Sequence, residues 1–190
     1  MANRRLQDLR IAILATHGFE QVELEQPRKA LNDAGVTTVL ISPQNGTVQG
    51  MNHDEKGDEF AVDLPMEDAD PENFDAVLLP EGVANADTLR MNEDACRFVQ
   101  AIDRSGKPIA VICHGPWLLV SAGLVKGRAL TSYFTLQDDI RNAGARWQDQ
   151  ETVLDKNWLS SRTPEDIPAF NKAMLQLFVP KRESARAAGA

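Results

Sequence analysis

The chain has 190 residues, of which 43% are hydrophobic and 25% charged, with 12 Gly and 10 Pro; this composition fits one globular domain and argues against disorder. A chain this long buries roughly 70% of the surface its unfolded form exposes, so it needs no structural metal, and its two cysteines, Cys96 and Cys113, cannot build a disulfide framework. Its 20 Lys+Arg against 28 Asp+Glu give a formal charge of −8, which on average repels nucleic acid and anionic membranes.

The amino terminus carries Arg4-Arg5 and leads straight into an apolar strand, without the apolar region and small-residue cleavage site of a secretory signal. No apolar run approaches the ~20 residues a membrane helix needs. The expectation is therefore a soluble, cytoplasmic protein with reduced thiols.

The first predicted strand is Ile11 to Ala15, a continuous apolar run of the kind buried on both faces of a sheet. After it, His17-Gly18-Phe19-Glu20 is read as opening a helix, whose inward positions Val22, Ala30, Leu31 and Ala34 precede Gly35. Val39 to Ile41 is the second strand. Gly46 to Leu64, with Val48, Phe60 and Val62 around a polar stretch, reads as a hairpin-like excursion at an edge. Ala76 to Leu79 is the third strand, followed by a helix carrying Ala95, Phe98, Val99 and Ile102 before Gly106. Ile109 to Ile112 is the fourth strand and runs into Cys113. Two short strands around a turn follow at Thr152 to Leu154 and Trp158 to Ser160. A last helix from Pro164 or Glu165 to Phe178 precedes a tail, Lys181 to Ala190, that is expected to fray. Alternating strands and helices predict a single α/β domain over 1–190, doubly wound, with a mostly parallel sheet sandwiched by helices and a core from about residue 9 to 178.

The segment Val111-Ile-Cys-His-Gly-Pro-Trp117 carries the chemistry. A buried strand passes directly into Cys113, and Gly115-Pro116 opens a helix, so the cysteine occupies a strand-turn-helix nucleophile elbow at the carboxyl edge of the sheet. Pro116 suits a first helical turn because the N–H it lacks would be unpaired there. The helix N-terminus is expected to lower the thiol pKa, and its N–H groups can hold an oxyanion. A buried, inert cysteine is the commoner fate of this residue type; the elbow reverses that reading for Cys113, whereas Cys96, on a helical face, is assigned to packing. His114 adjoins the cysteine and can take its proton only if the elbow splays the two side chains suitably. Glu20, at the end of the first strand's loop, can reach Cys113 and stay protonated beside the sulfur. Glu23 and Glu25 read as ordinary acidic residues of a first helical turn. His53 reads as solvated, His17 is undecided, and no cluster has metal-ligand spacing.

Several segments, Phe19-Glu-Gln-Val-Glu-Leu24, Leu79-Pro-Glu-Gly-Val-Ala-Asn85, Val111 to Trp117, Leu130-Thr-Ser-Tyr133, Asn142-Ala-Gly-Ala-Arg-Trp147 and Trp158-Leu-Ser-Ser-Arg162, together resemble the PfpI family of intracellular cysteine proteases. This family lies within the ThiJ/PfpI superfamily and shares its class I glutamine amidotransferase-like fold. The resemblance runs from about Leu9 to Phe178 and implies a flavodoxin-like sandwich. It further implies a reactive Cys113 with Glu20 as carboxyl partner and His114 as neighbouring histidine, and the N–H groups of Gly82 and His114 as the oxyanion-binding pair. Asp87 is the match to an acidic residue donated by a neighbouring subunit, so at least a homodimer is implied. Two departures stand out. Glu81 occupies a position that is usually glycine and would set negative charge beside the oxyanion site, and Tyr133-Phe134 stands where some relatives carry a histidine.

Three function classes follow. The first is a cysteine-dependent hydrolase acting in stress protection on peptides or small carbonyl-type adducts, without a cofactor or a metal. The second is a redox-sensing or peroxide-reactive stress protein using an oxidisable Cys113. The third is a chaperone-like oligomer. Amidotransferase chemistry lacks its distant His-x-Glu, and nucleotide use lacks a glycine-rich phosphate loop.

Overall fold

The computed structural model describes residues 6–179, so the tail expected to fray lies outside the described residues. In chain order the elements are β1 (Arg10–Leu14), β2 (Phe19–Glu20), α1 (Gln21–Asp33), β3 (Thr37–Ser42), β4 (Thr47–Asn52), β5 (Glu55–Ala61), β6 (Leu64–Pro65), β7 (Ala76–Leu79), α2 (Val83–Leu89), α3 (Glu93–Arg104), β8 (Ile109–Ile112), α4 (Pro116–Ser121), β9 (Ala129–Leu130), α5 (Gln137–Asn142), β10 (Arg146–Trp147), β11 (Thr152–Asp155), β12 (Trp158–Ser161) and α6 (Ile167–Phe178). Seven strands form the central sheet in the order β11-β12-β8-β7-β1-β3-β6, parallel throughout except for β11 against β12.

The continuous apolar runs become interior strands because both faces of the sheet are covered. On one face Ala12, Leu14, Val77 and Val111 pack against Phe98 and Val99 of α3 and Leu118 and Leu119 of α4. On the other, Ile11, Ile13, Leu78 and Ala110 meet Leu24 and Leu31 of α1 and Phe170 and Met174 of α6. Each fully buried Leu, Ile or Phe contributes about 1.5–3 kcal/mol, so the two layers together hold the sheet between the helices. Asn92 caps α3, its side chain accepting the Ala95 N–H at 2.8 Å.

Three local readings differ from the structure. Phe19 and Glu20 form the short strand β2, and the helix begins at Gln21. The excursion after β3 is a hairpin, but β4 pairs in parallel with β2 and antiparallel with β5 in a separate three-stranded sheet, so its turn reaches the carboxyl edge of the main sheet. Strand β12, whose sequence is only half apolar, lies inside the central sheet beside β8, with all four residues buried. Its serines are tolerated there because Ser160 and Ser161 hydroxyls donate to the backbone at Val153 and Glu151.

Candidate active site

Strands β1, β7 and β8 lie side by side, so their carboxyl ends bring Thr16, Glu81 and Cys113 to one region of the sheet edge, where open α/β folds place their sites. Cys113 has φ 60°, a left-handed conformation that costs a non-glycine residue about 1–2 kcal/mol. It is held by backbone bonds on both sides: its N–H donates to Ser161 O at 3.1 Å, and its carbonyl accepts the Tyr133 N–H at 2.8 Å. Gly115 is required by close approach, since a Cβ there would lie 2.4 Å from Val111 Cγ2 and 2.8 Å from Glu81 Cγ.

The sharp backbone turn splays the adjacent side chains so that Cys113 Sγ sits 3.2 Å from His114 Nδ1. The imidazole stacks on Tyr133, with centroids 4.7 Å apart and planes inclined at 27°. Burial lowers the His114 pKa to about 4, so the ring is neutral at pH 7 and able to accept the thiol proton. Among the described residues no carboxylate hydrogen-bonds to that ring.

The carboxyl group against Cys113 is that of Glu23. Glu23 is fully buried and interacts with the Cys113 thiol, while its Oε2 accepts the Glu81 N–H at 3.2 Å and its Oε1 has no conventional partner. Glu20, expected in that role, turns instead toward the β4–β5 turn: its Oε2 accepts the His53 N–H at 3.1 Å and lies 3.9 Å from His53 Nδ1. The reason lies in the start of the helix. Glu20 is the residue before α1, whereas Glu23, Pro27 and Leu31 share its buried face at intervals of one turn, and that face is aimed at the sheet edge. Pro27 also lacks the N–H that would bond the Glu23 carbonyl.

Glu81 corrects a second expectation. Its side chain is fully buried and accepts a hydrogen bond from Asn85 Nδ2. Asn85 is itself anchored, accepting the Thr16 N–H at 2.6 Å and donating to Pro80 O at 3.2 Å. Burial and the neighbouring Glu23 push the Glu81 carboxyl well above its ordinary range, which favours its neutral form and opposes a negative charge beside an oxyanion. Burial likewise pushes the Glu23 carboxyl well above its ordinary range.

The expected lowering of the Cys113 pKa is reversed. The thiol is 7% exposed, and burial pushes its pKa up, reinforced by Glu23 and Glu81 and opposed by the His114 N–H. The sulfur is therefore held chiefly as thiol rather than as a standing thiolate.

Of the expected oxyanion pair, the His114 N–H lies against the Cys113 sulfur and the Gly82 N–H against the Glu81 carboxyl. Gly82 must be glycine, because a Cβ would stand 2.6 Å from Gly18 O and 2.8 Å from Glu20 N. Asp87 lies on the exposed side of α2, outside the cleft of its own chain. His17 Nδ1 accepts the Gln49 N–H at 3.0 Å, and Cys96 is half-buried on α3. Among the described residues no group of three or more His, Cys, Asp and Glu is placed to hold a metal ion.

The cleft above Cys113 measures about 640 Å³ and is bounded by Glu20, Glu23, Gly82, Val83, Cys113, His114, Tyr133, Phe134, and the hairpin residues Met51, His53 and Asp54. It is open enough for a small molecule or a side chain.

Residues 9–177 match the model of the DJ-1/PfpI family. The chain is 41% identical over 169 residues to a deglycase of Thermococcus kodakarensis, covering 89% of this chain and 99% of the relative. It is 42% identical over 171 residues to protein/nucleic acid deglycase 2 of Escherichia coli, covering 88% and 96%. The fold is similar to that of the solved Drosophila melanogaster DJ-1beta, with TM-score 0.82, 22% identity and 91% of each chain covered. Matching sequence across nearly the whole chain, together with the same α/β architecture, places this chain in the DJ-1/PfpI family.

Proposed function

We propose that the chain is a cysteine-dependent hydrolase of the glycation-repair type, with Cys113 as nucleophile. The observation that carries this reading is the left-handed elbow that sets Cys113 Sγ 3.2 Å from a neutral His114 Nδ1 at the floor of an open cleft. In this reading the thiol adds to a carbonyl-type carbon and its proton passes to His114 Nδ1. Glu23, in the role first given to Glu20, donates a hydrogen bond to the developing sulfur anion. The amine leaves as its C–N bond breaks, taking the proton held by His114; a proton shift between the two adjacent oxygen-bearing carbons converts the resulting hemithioacetal into a thioester with no external oxidant, and water cleaves the C–S bond, releasing the hydroxy acid and restoring the thiol. The names of relatives at about 40% identity support the glycation-repair form over a general peptidase.

Two further elements belong to this reading. A homodimer would bring Asp87 of a neighbouring copy toward His114, whose ring has no carboxylate partner in its own chain. A cytoplasmic, stress-protective role accords with the reduced thiols. A peroxide-sensing role would use the same Cys113, and the names of the relatives favour hydrolysis over it.

The test is turnover of methylglyoxal adducts of N-acetylated amino acids by wild type and Cys113→Ala. Loss of at least about a hundredfold in rate, with an unchanged circular dichroism spectrum and Tm, is expected. Undiminished turnover by the variant would overturn the assignment.

A further inference from the structure

We propose that Glu81 is a positioning residue of the site: its buried side chain, through Asn85, locks the backbone that aims the Glu23 carboxyl at the Cys113 thiol. For the step that Glu23 serves the proposal rests on the hydrolase reading; for the geometry at the thiol it does not.

Glu81 stands between β7 and α2, and its backbone and its side chain are engaged at once. Its N–H donates to Glu23 Oε2 at 3.2 Å, and its carbonyl accepts the Glu20 N–H at 2.9 Å. One residue therefore fixes both the strand that leads into α1 and the carboxyl in the first turn of that helix. The Glu81 carboxyl accepts from Asn85 Nδ2, and Asn85 in turn accepts the Thr16 N–H at 2.6 Å, just past the end of β1. Its Cγ also lies against the elbow, where a Cβ at Gly115 would stand 2.8 Å from it. The side chain thus ties its own loop to α2, to the end of β1 and to the elbow, and removing it frees the segment whose N–H holds Glu23.

The bond from the Glu81 N–H decides how the two oxygens of Glu23 are used. In the neutral carboxyl the accepting oxygen, Oε2, is the carbonyl one, so the proton sits on Oε1, the oxygen left to meet the thiol. A hydrogen bond to sulfur needs a fixed direction, and a carboxyl free to rotate would offer either oxygen. Glu81 itself is fully buried, and among the described residues its Oε1 has no hydrogen-bond partner and no Lys or Arg pairs with it. An apolar side chain of that size would avoid the desolvation but would leave Asn85 Nδ2 without this acceptor. The other ionisable groups that bear on Glu23 are Glu20 of β2 and Glu165 before α6, and the variants that test the lock leave both in place.

Glu81→Ala and Glu81→Gln both remove the ionisable group, but only the latter can still accept from Asn85, so the difference between them reads the lock alone. With Cys96→Ser as background, the pH midpoint of Cys113 alkylation by iodoacetamide should lie at least about half a pH unit lower in Glu81→Ala than in Glu81→Gln, since a loosened Glu23 raises the thiol less. In a Glu23→Gln background the same two variants should agree to within about 0.3 pH unit, because the lock then has nothing to aim. In turnover, kcat should fall about tenfold in Glu81→Ala with KM within about twofold of wild type, and Glu81→Gln should recover most of the loss. Glu81→Met fills the space but accepts nothing; it should follow Glu81→Ala, and replaces it if circular dichroism and Tm show that the smaller side chain prevents folding. Equal midpoints in the accepting and non-accepting variants, or equal kcat where wild type turns over, would mean that the lock is idle and overturn the proposal. A midpoint difference that persists undiminished in the Glu23→Gln background would overturn it too, because Glu81 would then act on the thiol by another route. Absence of turnover by wild type would sink the hydrolase reading, and the midpoints would still decide this one.

Discussion

At Cys113 the chemistry depends on which neighbour holds a proton. The thiol and Glu23 are buried together and both are raised by desolvation; Glu23 raises the thiol further, whereas the hydrogen bond with the thiol lowers Glu23, so the two titrate as a coupled pair. Replacing Glu23 by Gln keeps the volume and removes the competing charge. The alkylation midpoint of Cys113 should then fall, while turnover drops by about a hundredfold because the proton shared with sulfur is gone. Glu20→Gln should leave that midpoint in place, since Glu20 faces His53 rather than the thiol. A midpoint shift in Glu20→Gln equal to that in Glu23→Gln would contradict this division of roles. The elbow itself was legible, because a buried apolar strand ending in Cys-His-Gly-Pro has few other conformations. Glu20 was expected from its own place at the carboxyl edge of the sheet, whereas the carboxyl that lies against Cys113 is that of Glu23. The signal that finds Glu23 is helical period: residues 23, 27 and 31 lie one turn apart on the face that carries Leu31 into the core. The conformation of Glu81 could not be read in advance, because its burial depends on Asn85 and on the bare Cα of Gly115, both known only in three dimensions.

Elements were legible where apolar runs were long, and less so where tertiary pairing supplied what local sequence lacked. Strand β12 is polar at Ser160 and Ser161 yet central, because β8 and β11 provide its hydrogen bonds and Trp158 anchors its start. That anchor is a polar cluster at the opposite end of the strands from Cys113. Asp103 of α3 accepts from Arg128 Nη2 at 2.7 Å, Trp158 Nε1 at 2.7 Å and Asn157 Nδ2 at 3.2 Å. Arg128 also covers the Trp158 ring at 4.3 Å. Asp103→Ala would strand a buried indole N–H and a mostly buried guanidinium, at a cost of about 2–4 kcal/mol. Denaturant unfolding should show a lower midpoint at an unchanged m-value, with the Cys113 alkylation rate of the native protein unaffected. By contrast, Gly82→Ala acts at the cleft: its Cβ would collide with backbone at Gly18 and Glu20, displacing β2 and the cleft wall. It should cost about 1–3 kcal/mol and should also lower turnover, a combination absent from Asp103→Ala.

For the whole molecule, the buried titratable groups make stability depend on pH in two opposed ways. His114 has an ordinary pKa of 6.5 and one of about 4 in the fold. The unfolded chain therefore binds this proton first as pH falls, and the stabilisation, full above 6.5, is lost between 6.5 and 4, on the order of 2 kcal/mol. Glu23 and Glu81 have the reverse sign. Their ordinary value is 4.5 and burial raises both, so the folded chain holds protons that the unfolded chain releases. Their contribution is full below 4.5 and declines as pH rises through their folded values. Above 6.5 the imidazole no longer contributes to the slope, while the two carboxyls make the protein less stable as pH rises from 4.5 until each has ionised in the fold. Glu81→Gln keeps the side-chain length and the contact with Asn85 while removing one ionisable group. Its Tm, relative to wild type, should therefore be higher at pH 8 than at pH 4.5, with each kcal/mol appearing as about 2–4 °C for a chain of this size. An equal Tm difference at the two pH values would mean that Glu81 ionises in the folded chain as readily as in the unfolded one, and that the buried carboxyl beneath Cys113 is not held in its neutral form.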